Sequence, residues 1–317
     1  MPASSRVPAV LAAGMVSVDH YLRVVSLPRK DEKVNGRRIG WFAGGMAANF
    51  AVAARQFGAE ARLVATFGAD AEAGEIRRRL TALGIDLTGS ADVPTADSLT
   101  SYTVVDRDAD KTMVIVESDL PLPDPGPIAA EAAGGAWDVV YPVALDAAWC
   151  REIGAAARAA GAAVVFDLEP YFVESAWDTP DFVAMMATAE IVFMKLDSVR
   201  AAGFRDAAEA AGALRRMGPR VVVTTDGPGE VYCAADDDRF AAVPPAAVVT
   251  DTTGAGDAFA GAFCSLYAQR RSVEDCLATA TALGTLTVGE FGCQSYAPLR
   301  AERLRGVLDR VETRKLP

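Results

Sequence analysis

A chain of 317 residues that is 51% hydrophobic and 23% charged is globular, and long enough for one large α/β domain or two smaller ones. A net charge of −11, with no basic run interleaved with aromatic residues, disfavours sequence-nonspecific nucleic-acid binding. No stretch of eighteen apolar residues occurs, so no membrane-spanning helix is expected.

The first predicted element is a buried strand over 8–17, within "VPAVLAAGMVSVDH". That segment also looks like the core of a signal peptide. Asp19 and His20 stand where a small-residue cleavage site belongs, so the strand reading is preferred. Further strands are predicted at 61–67, 138–143, 162–168, 190–195 and 220–225, each short and rich in Val, Ile, Phe or Ala. Helices lie between them at Met46–Phe57, Ala71–Leu83, Leu145–Ala160 and 206–217, each followed by a glycine that marks its stop. This alternation implies a mostly parallel sheet covered by helices on both faces. "RRIGWF" (37–42) and "SLTSYTVVDRDADKTMVIVES" (98–118) break the rhythm and read as extended, the second as a hairpin turning at "DRDADK". Together they predict a small β-flap over one edge of the sheet. The last third reads as helical, over 255–270, 273–288 and 298–313.

The single histidine, His20, rules out a zinc site with several His ligands, so proton transfer falls to carboxylates. The five cysteines are scattered, without a C-x-x-C pair, and read as buried free thiols in a reducing, cytoplasmic compartment.

Four stretches carry chemistry. In "DTTGAGDAFAG" (251–261), Gly254, Ala255 and Gly256 turn into a helix whose free N–H groups and dipole form an anion site. Asp257 sits beside that anion, where it can accept a proton from a hydroxyl attacking phosphorus, or simply favour the helix dipole. No Walker loop or dinucleotide fingerprint is present. In "FAGGMAANF", Gly44 and Gly45 turn into a helix whose Asn49 can donate to and accept from a diol, or face solvent. Asp19, just past the first strand, lies at the crevice end where ligands of open parallel sheets bind. "VVVTTDGPGEV" exits a buried strand at Thr225, Asp226 and Gly227.

Together these stretches resemble the ribokinase-like (PfkB) carbohydrate kinases. "DTTGAGDAF" is similar to the C-terminal signature of that family and the double-glycine stretch to its N-terminal one. The resemblance implies a single α/β domain over 1–317 with a small β-sheet lid formed by about 20–43 and 98–118. It implies use of ATP and Mg²⁺ to phosphorylate a small sugar or sugar derivative. Asp257 would be the base, with Gly254, Ala255 and Gly256 as the anion hole. Asp19, Gly44, Gly45 and Asn49 would bind substrate, and Thr225, Asp226 and Gly227 the nucleotide. Asp251, Thr253 and Gly292, with Glu290 near them, would hold a monovalent cation such as K⁺. A homodimer paired through the lid is also implied.

The chain departs from ribokinases proper where Met46 stands in place of the lysine that follows the double glycine and where "VVYPVALD" offers no strand-end glutamate, so ribose is not the first expectation for the acceptor. At "FMKLDSV", Lys195 and Ser198 replace the Asn and Glu of the family's N-x-x-E motif. Lys195 would then pair with ATP phosphate, and Asp197 would hold a magnesium water. Two alternatives stay open. One is a nucleoside kinase, with Trp41 and Phe42 stacking the base. The other is a sugar- or nucleotide-binding regulator that has lost turnover.

Overall fold

The computed structural model describes residues 7–108, 110–116 and 118–317. Residues 1–6, Ala109 and Glu117 lie outside the described residues, so they take with them one position of the predicted "DRDADK" turn and one of the 98–118 lid arm.

The chain opens with β1 (Ala9–Met15) and β2 (Ser17–Val24), where the sequence predicts one strand over 8–17. The break at Val16 is a change of sheet. β3 (Gly36–Gly44) runs through Gly45 into α1 (Met46–Gln56), followed by β4 (Glu60–Phe67) and α2 (Ala71–Ala82). Two-residue strands β5 (Ile85–Asp86) and β6 (Ala91–Asp92) precede the hairpin of β7 (Leu99–Val105) and β8 (Lys111–Val116). Next come α3 (Pro125–Ala133), β9 (Val139–Pro142), α4 (Ala147–Ala159) and β10 (Ala163–Leu168). Short helices α5 (Pro170–Ala176) and α6 (Pro180–Met186), each opened by proline, lead to β11 (Ile191–Lys195) and α7 (Leu196–Ala201). Then follow α8 (Ala207–Met217), β12 (Val221–Thr225) and the hairpin β13 (Val231–Ala235) with β14 (Asp238–Val243). The chain closes with α9 (Ala255–Ala268), α10 (Val273–Thr287), α11 (Ala301–Leu308) and β15 (Glu312–Leu316).

The large sheet has the order β15-β14-β13-β12-β11-β10-β9-β1-β4-β5, with β6 also on β4. Neighbours from β12 to β5 pair in parallel, and β13, β14 and β15 add an antiparallel edge. Runs such as Val164-Val165-Phe166 are apolar on both faces because helices cover both, the pattern a buried parallel sheet requires. One core packs Phe50, Phe259 and Phe263 on one face, and the other packs Trp149, Ile153 and Leu214 on the opposite face. The predicted helix stops hold: Gly58, Gly84 and Gly161 adopt φ of 89°, 81° and 88°, where a side chain would be strained.

The C-terminal prediction fails in part. The stretch 298–313 is helical only over Ala301–Leu308, and Glu312–Leu316 pairs antiparallel with β14. Unpaired N–H and C=O groups on β14 offer a full ladder of hydrogen bonds, which outweighs the helical pattern of this charged segment.

A second sheet, β3-β2-β7-β8, stands apart from the first. It contains the segments predicted as a flap. The five cysteines are buried and unpaired.

Candidate active site at the carboxyl ends of the strands

α9 is capped at its start by Gly254, whose φ is 76°. A Cβ there would lie 2.5 Å from Cys293 Cβ, so only glycine fits this approach of two loops. The turn before it is tied down by the Thr250 and Asp251 N–H groups, which both donate to the Val288 carbonyl. First-turn N–H groups of a helix have no intrahelical acceptor, so Gly254, Gly256 and Asp257 can offer donors here, while the Ala255 N–H makes a long bond to the Thr252 carbonyl at 3.5 Å.

Asp257 sits in that first turn, only 8% exposed. Asn49 Nδ2 donates to its Oδ2 at 2.8 Å, and Gln294 Nε2 donates to Asn49 Oδ1 at 2.9 Å, which fixes the amide's orientation. Burial pushes the Asp257 carboxyl up to about 6, against the Asn49 bond and the Lys195 charge.

Lys195, the last residue of β11, reaches across to the end of β10, where its Nζ donates at 2.6 Å to Oε1 of Glu169, the residue that follows the strand. Asp167, two residues before Glu169, is buried, and burial followed by the Glu169 charge pushes its carboxyl up to about 7. The Tyr141 hydroxyl faces the same carboxylates and is fully buried; among the described residues it has no hydrogen-bond partner. Ser198 Oγ is likewise buried, with no hydrogen-bond partner among the described residues. Thr225 pairs directly with Lys195 across β11 and β12, so the Thr225–Asp226–Gly227 turn borders this cluster. Gly229 N–H closes that turn on the Asp226 carbonyl at 2.7 Å, and Gly227 has a φ of 54°. Asp197 stands apart: it is exposed and paired with Arg200 at 3.0 Å.

At the other end, Asp19 lies within β2 of the small sheet rather than just past the first strand. The change of sheet at Val16 carries it there. Its Oδ1 accepts from Ser17 Oγ at 3.0 Å and Ser101 Oγ at 2.8 Å, and the Cys293 thiol approaches Oδ2 at 3.7 Å. Burial raises the Asp19 carboxyl above its ordinary range, and the hydroxyl bonds resist the shift. A Cβ on Gly44 would strike the Asp19 carboxylate, and one on Gly45 (φ 94°) would fall 2.5 Å from the Met15 carbonyl. The double glycine therefore lets α1 start directly against Asp19.

Between these ends, Asp251 is 2% exposed, and its Oδ1 accepts from Thr253 N at 3.0 Å and Thr253 Oγ1 at 2.6 Å. Its Oδ2 accepts from Gly292 N at 3.3 Å. Glu290 points away and pairs with Arg303 at 2.8 Å. Phe42 packs on Gly292, where a Cβ would lie 2.5 Å from its ring, and edges against Tyr21 at 5.3 Å. Trp41 has the Arg79 guanidinium over its ring at 4.4 Å.

The predicted residues thus come from six segments, with Asp197 and Glu290 outside the cluster. Sequence reasoning misses Glu169, Asp167, Gln294, Cys293, Ser17, Ser101 and Lys111. Glu169 carries a usable signal, since it directly follows the strand predicted over 162–168. The others become visible only when distant segments meet.

A family model described as pfkB family carbohydrate kinase matches residues 8–300. A nucleoside kinase of Methanothermobacter thermautotrophicus is 26% identical, covering 93% of this chain and 94% of its own length. An ATP-dependent ribose-1-phosphate kinase of Halopiger xanaduensis is 30% identical, covering 90% of this chain and 94% of its own length. The solved structure of Arabidopsis thaliana ribokinase complexed with ribose and ATP superposes with a TM-score of 0.78 at 20% identity, covering 96% of this chain and 99% of the other. The fold and the signature turn define a sugar or nucleoside kinase of ribokinase type. The chain belongs to the pfkB family of carbohydrate kinases.

Proposed function

We propose that the protein transfers the γ-phosphoryl group of ATP to a hydroxyl of a small sugar or sugar derivative, with Asp257 as general base. The observation that carries this reading is the buried Asp257 carboxylate, held by Asn49 at the amino end of α9. Its pKa of about 6 leaves it ionised at neutral pH, yet basic enough to take a hydroxyl proton. Gly254, Ala255 and Gly256 would receive the charge that builds on the transferring phosphate.

Asp19, Gly44, Gly45 and Asn49 would bind the acceptor. Asp19 already holds two serine hydroxyls, the arrangement a diol would extend or displace. Lys195, Thr225, Asp226 and Gly227 would border the nucleotide. The small sheet would act as lid, at about 20–43 and 98–118 of a single 1–317 domain, and would exclude water as a competing acceptor.

Mg²⁺ fits the residues present. Among the described residues, no three His, Cys, Asp or Glu side chains converge to hold a metal alone. Magnesium bound through phosphate and water needs only one or two carboxylates. Glu169 and Asp167 supply them better than exposed Asp197, and the unpartnered hydroxyls of Tyr141 and Ser198 leave polar groups for water. When bound, the ion would offset charge on the phosphates. Lys195 would move between Glu169 and a phosphate oxygen.

The nucleoside alternative has the Methanothermobacter relative in its favour. Against it, Trp41 and Phe42, the residues expected to stack a base, are engaged by Arg79 and by Gly292 with Tyr21. The outer face of the small sheet exposes Tyr102, Val114 and Val116, with Val114 opposite Tyr102, which supports pairing of two copies through the lid. Among the described residues no helix is long and apolar enough to cross a membrane. Five buried free thiols suit a reducing cytoplasm.

The test is ADP release with ATP and Mg²⁺ across sugars, sugar phosphates including ribose 1-phosphate, keto-sugar acids, aminosugars and nucleosides. Turnover on a sugar-type alcohol is expected. Tight binding of one compound without ADP release from any would overturn the kinase reading in favour of a binding regulator.

A further inference from the structure

Lys111 opens β8, the edge strand of the small sheet, yet its side chain ends on the turn that starts α9. Its Nζ donates to Thr253 Oγ1 at 2.7 Å and lies 3.7 Å from Asp251 Oδ1. Thr253 passes the interaction on, donating to Asp251 Oδ1 at 2.6 Å. The Asp251 carboxylate is almost wholly buried, and a buried carboxylate requires a counter-charge. Among the described residues its ion-pair partner is Lys111.

These are the residues expected from sequence to hold a monovalent cation: Asp251, Thr253 and the Gly292 loop. The carboxylate expected from Glu290 is turned outward to Arg303. A lysine ammonium is a compact unit charge with three donors. It therefore meets two of the oxygens expected of that site, Thr253 Oγ1 and Asp251 Oδ1.

We propose that Lys111 is the cation of this turn: a tethered ammonium, delivered by the lid, that replaces a free monovalent ion and couples lid closure to the anion-binding backbone at Gly254, Ala255 and Gly256. Thr253 is the residue immediately before Gly254, so an ammonium fixing its hydroxyl fixes the start of α9. An open lid withdraws the ammonium and leaves the Asp251 carboxylate uncompensated beside the phosphate site. The role in turnover rests on the kinase reading; the coupling of lid to turn does not.

Two measurements test this. In rate assays, wild-type protein turns over equally in tetramethylammonium and in potassium buffers. Lys111→Ala and the stem-retaining Lys111→Met lose roughly 10–100-fold in kcat/KM without small cations, the loss expected for one charge-assisted contact. Added potassium or methylammonium restores part of it. Wild-type activation by potassium, or full activity of both variants in tetramethylammonium, would overturn the proposal. Hydrogen exchange supplies an arm that needs no turnover. The amides of 251–256 should be equally protected in either buffer for wild type, and protected only with potassium in the variants. If wild type phosphorylates nothing but shows that exchange pattern, the kinase reading fails and the tethered cation stands. Unchanged protection of 251–256 in both variants without potassium would remove Lys111 from the turn.

Discussion

The crevice holds a buried aspartate at each end, and the two are surrounded differently. Asp19 is held by neutral donors, the Ser17 and Ser101 hydroxyls and the Cys293 thiol. Asp257 is held by the Asn49 amide and lies in the field of the Lys195 ammonium. Hydroxyl donors exchange readily with hydroxyls of a bound polyol, so the first environment suits recognition. An amide locked by a second amide, Gln294, cannot exchange in this way. It leaves one carboxylate oxygen fixed and the other free to take a proton. Two carboxylates of one type, both raised by burial, are thereby suited to different work.

The largest effect should come from the Asp257 end. Asp257→Asn is expected to lower kcat by at least about 10²–10⁴-fold, with the dissociation constants of ATP and acceptor little changed. A variant keeping more than about a tenth of the wild-type kcat would break the contrast between the two ends. The same change should stabilise the fold. With a folded pKa of about 6, the native state favours neutral Asp257, an advantage full below the ordinary aspartate value and lost as pH rises through about 6. At pH 7.5 the substitution therefore relieves a penalty on the order of 2–3 kcal/mol. Melting curves should show a higher Tm for Asp257→Asn at pH 7.5, and the two proteins should converge near pH 4.

Asp19→Ala should act on the acceptor alone. Loss of a charged hydrogen-bond acceptor costs about 1.5–3 kcal/mol, so acceptor KM should rise roughly 10–100-fold. ATP affinity measured without acceptor should stay put. An equal fall in both affinities would mean that Asp19 props the lid and does not recognise substrate.

The pH profile sharpens the contrast further. Only ionised Asp257 can take a proton, so kcat should be flat above pH 7 and fall tenfold per unit below about 6. A profile flat from pH 5 to 8 would mean that another group, or no group, limits the chemistry.

The smallest effect is expected at Lys195. Removing its ammonium leaves Glu169 and Asp167 unneutralised beside the Thr225–Asp226–Gly227 turn, where the nucleotide is proposed to lie. Lys195→Ala should weaken ATP binding several-fold and raise the magnesium concentration for half-maximal rate, read by titration at fixed ATP. Unchanged values in both would confine the pair to a structural role.

What the sequence makes legible depends on how local each signal is. Parallel strands announce themselves as short apolar runs, and all six predicted strands exist within a residue or two except where 8–17 divides. The glycines of "DTTGAGDAF" announce a helix start because only glycine tolerates the backbone at Gly254. Asp197 suggests itself from sequence as a metal residue because it is one position from the family pattern, yet it is exposed and paired with Arg200. Glu169 lies 26 residues from Lys195, and only the pairing of β10 with β11 brings them together. Lys111 is 142 residues from Thr253 and meets it only because one sheet folds over another. β15 was masked by its own composition: a charged, helix-compatible segment became a strand because β14 had an open edge.

The buried cysteines have a practical consequence for watching this molecule without a substrate. Burial pushes the Cys233 and Cys276 thiols up to about 12, and those of Cys150, Cys264 and Cys293 rise as well. None presents a thiolate at neutral pH, so alkylation must wait for the surrounding structure to open. Cys293 differs from the rest in its location, between Gly254 and Asp19, where the small sheet meets the turn that precedes α9. Its alkylation rate therefore records each opening of the crevice, and the other four record opening of the core. A compound that slows labelling at Cys293 alone has entered between the two aspartates, and it identifies itself as a candidate acceptor before any phosphate has moved.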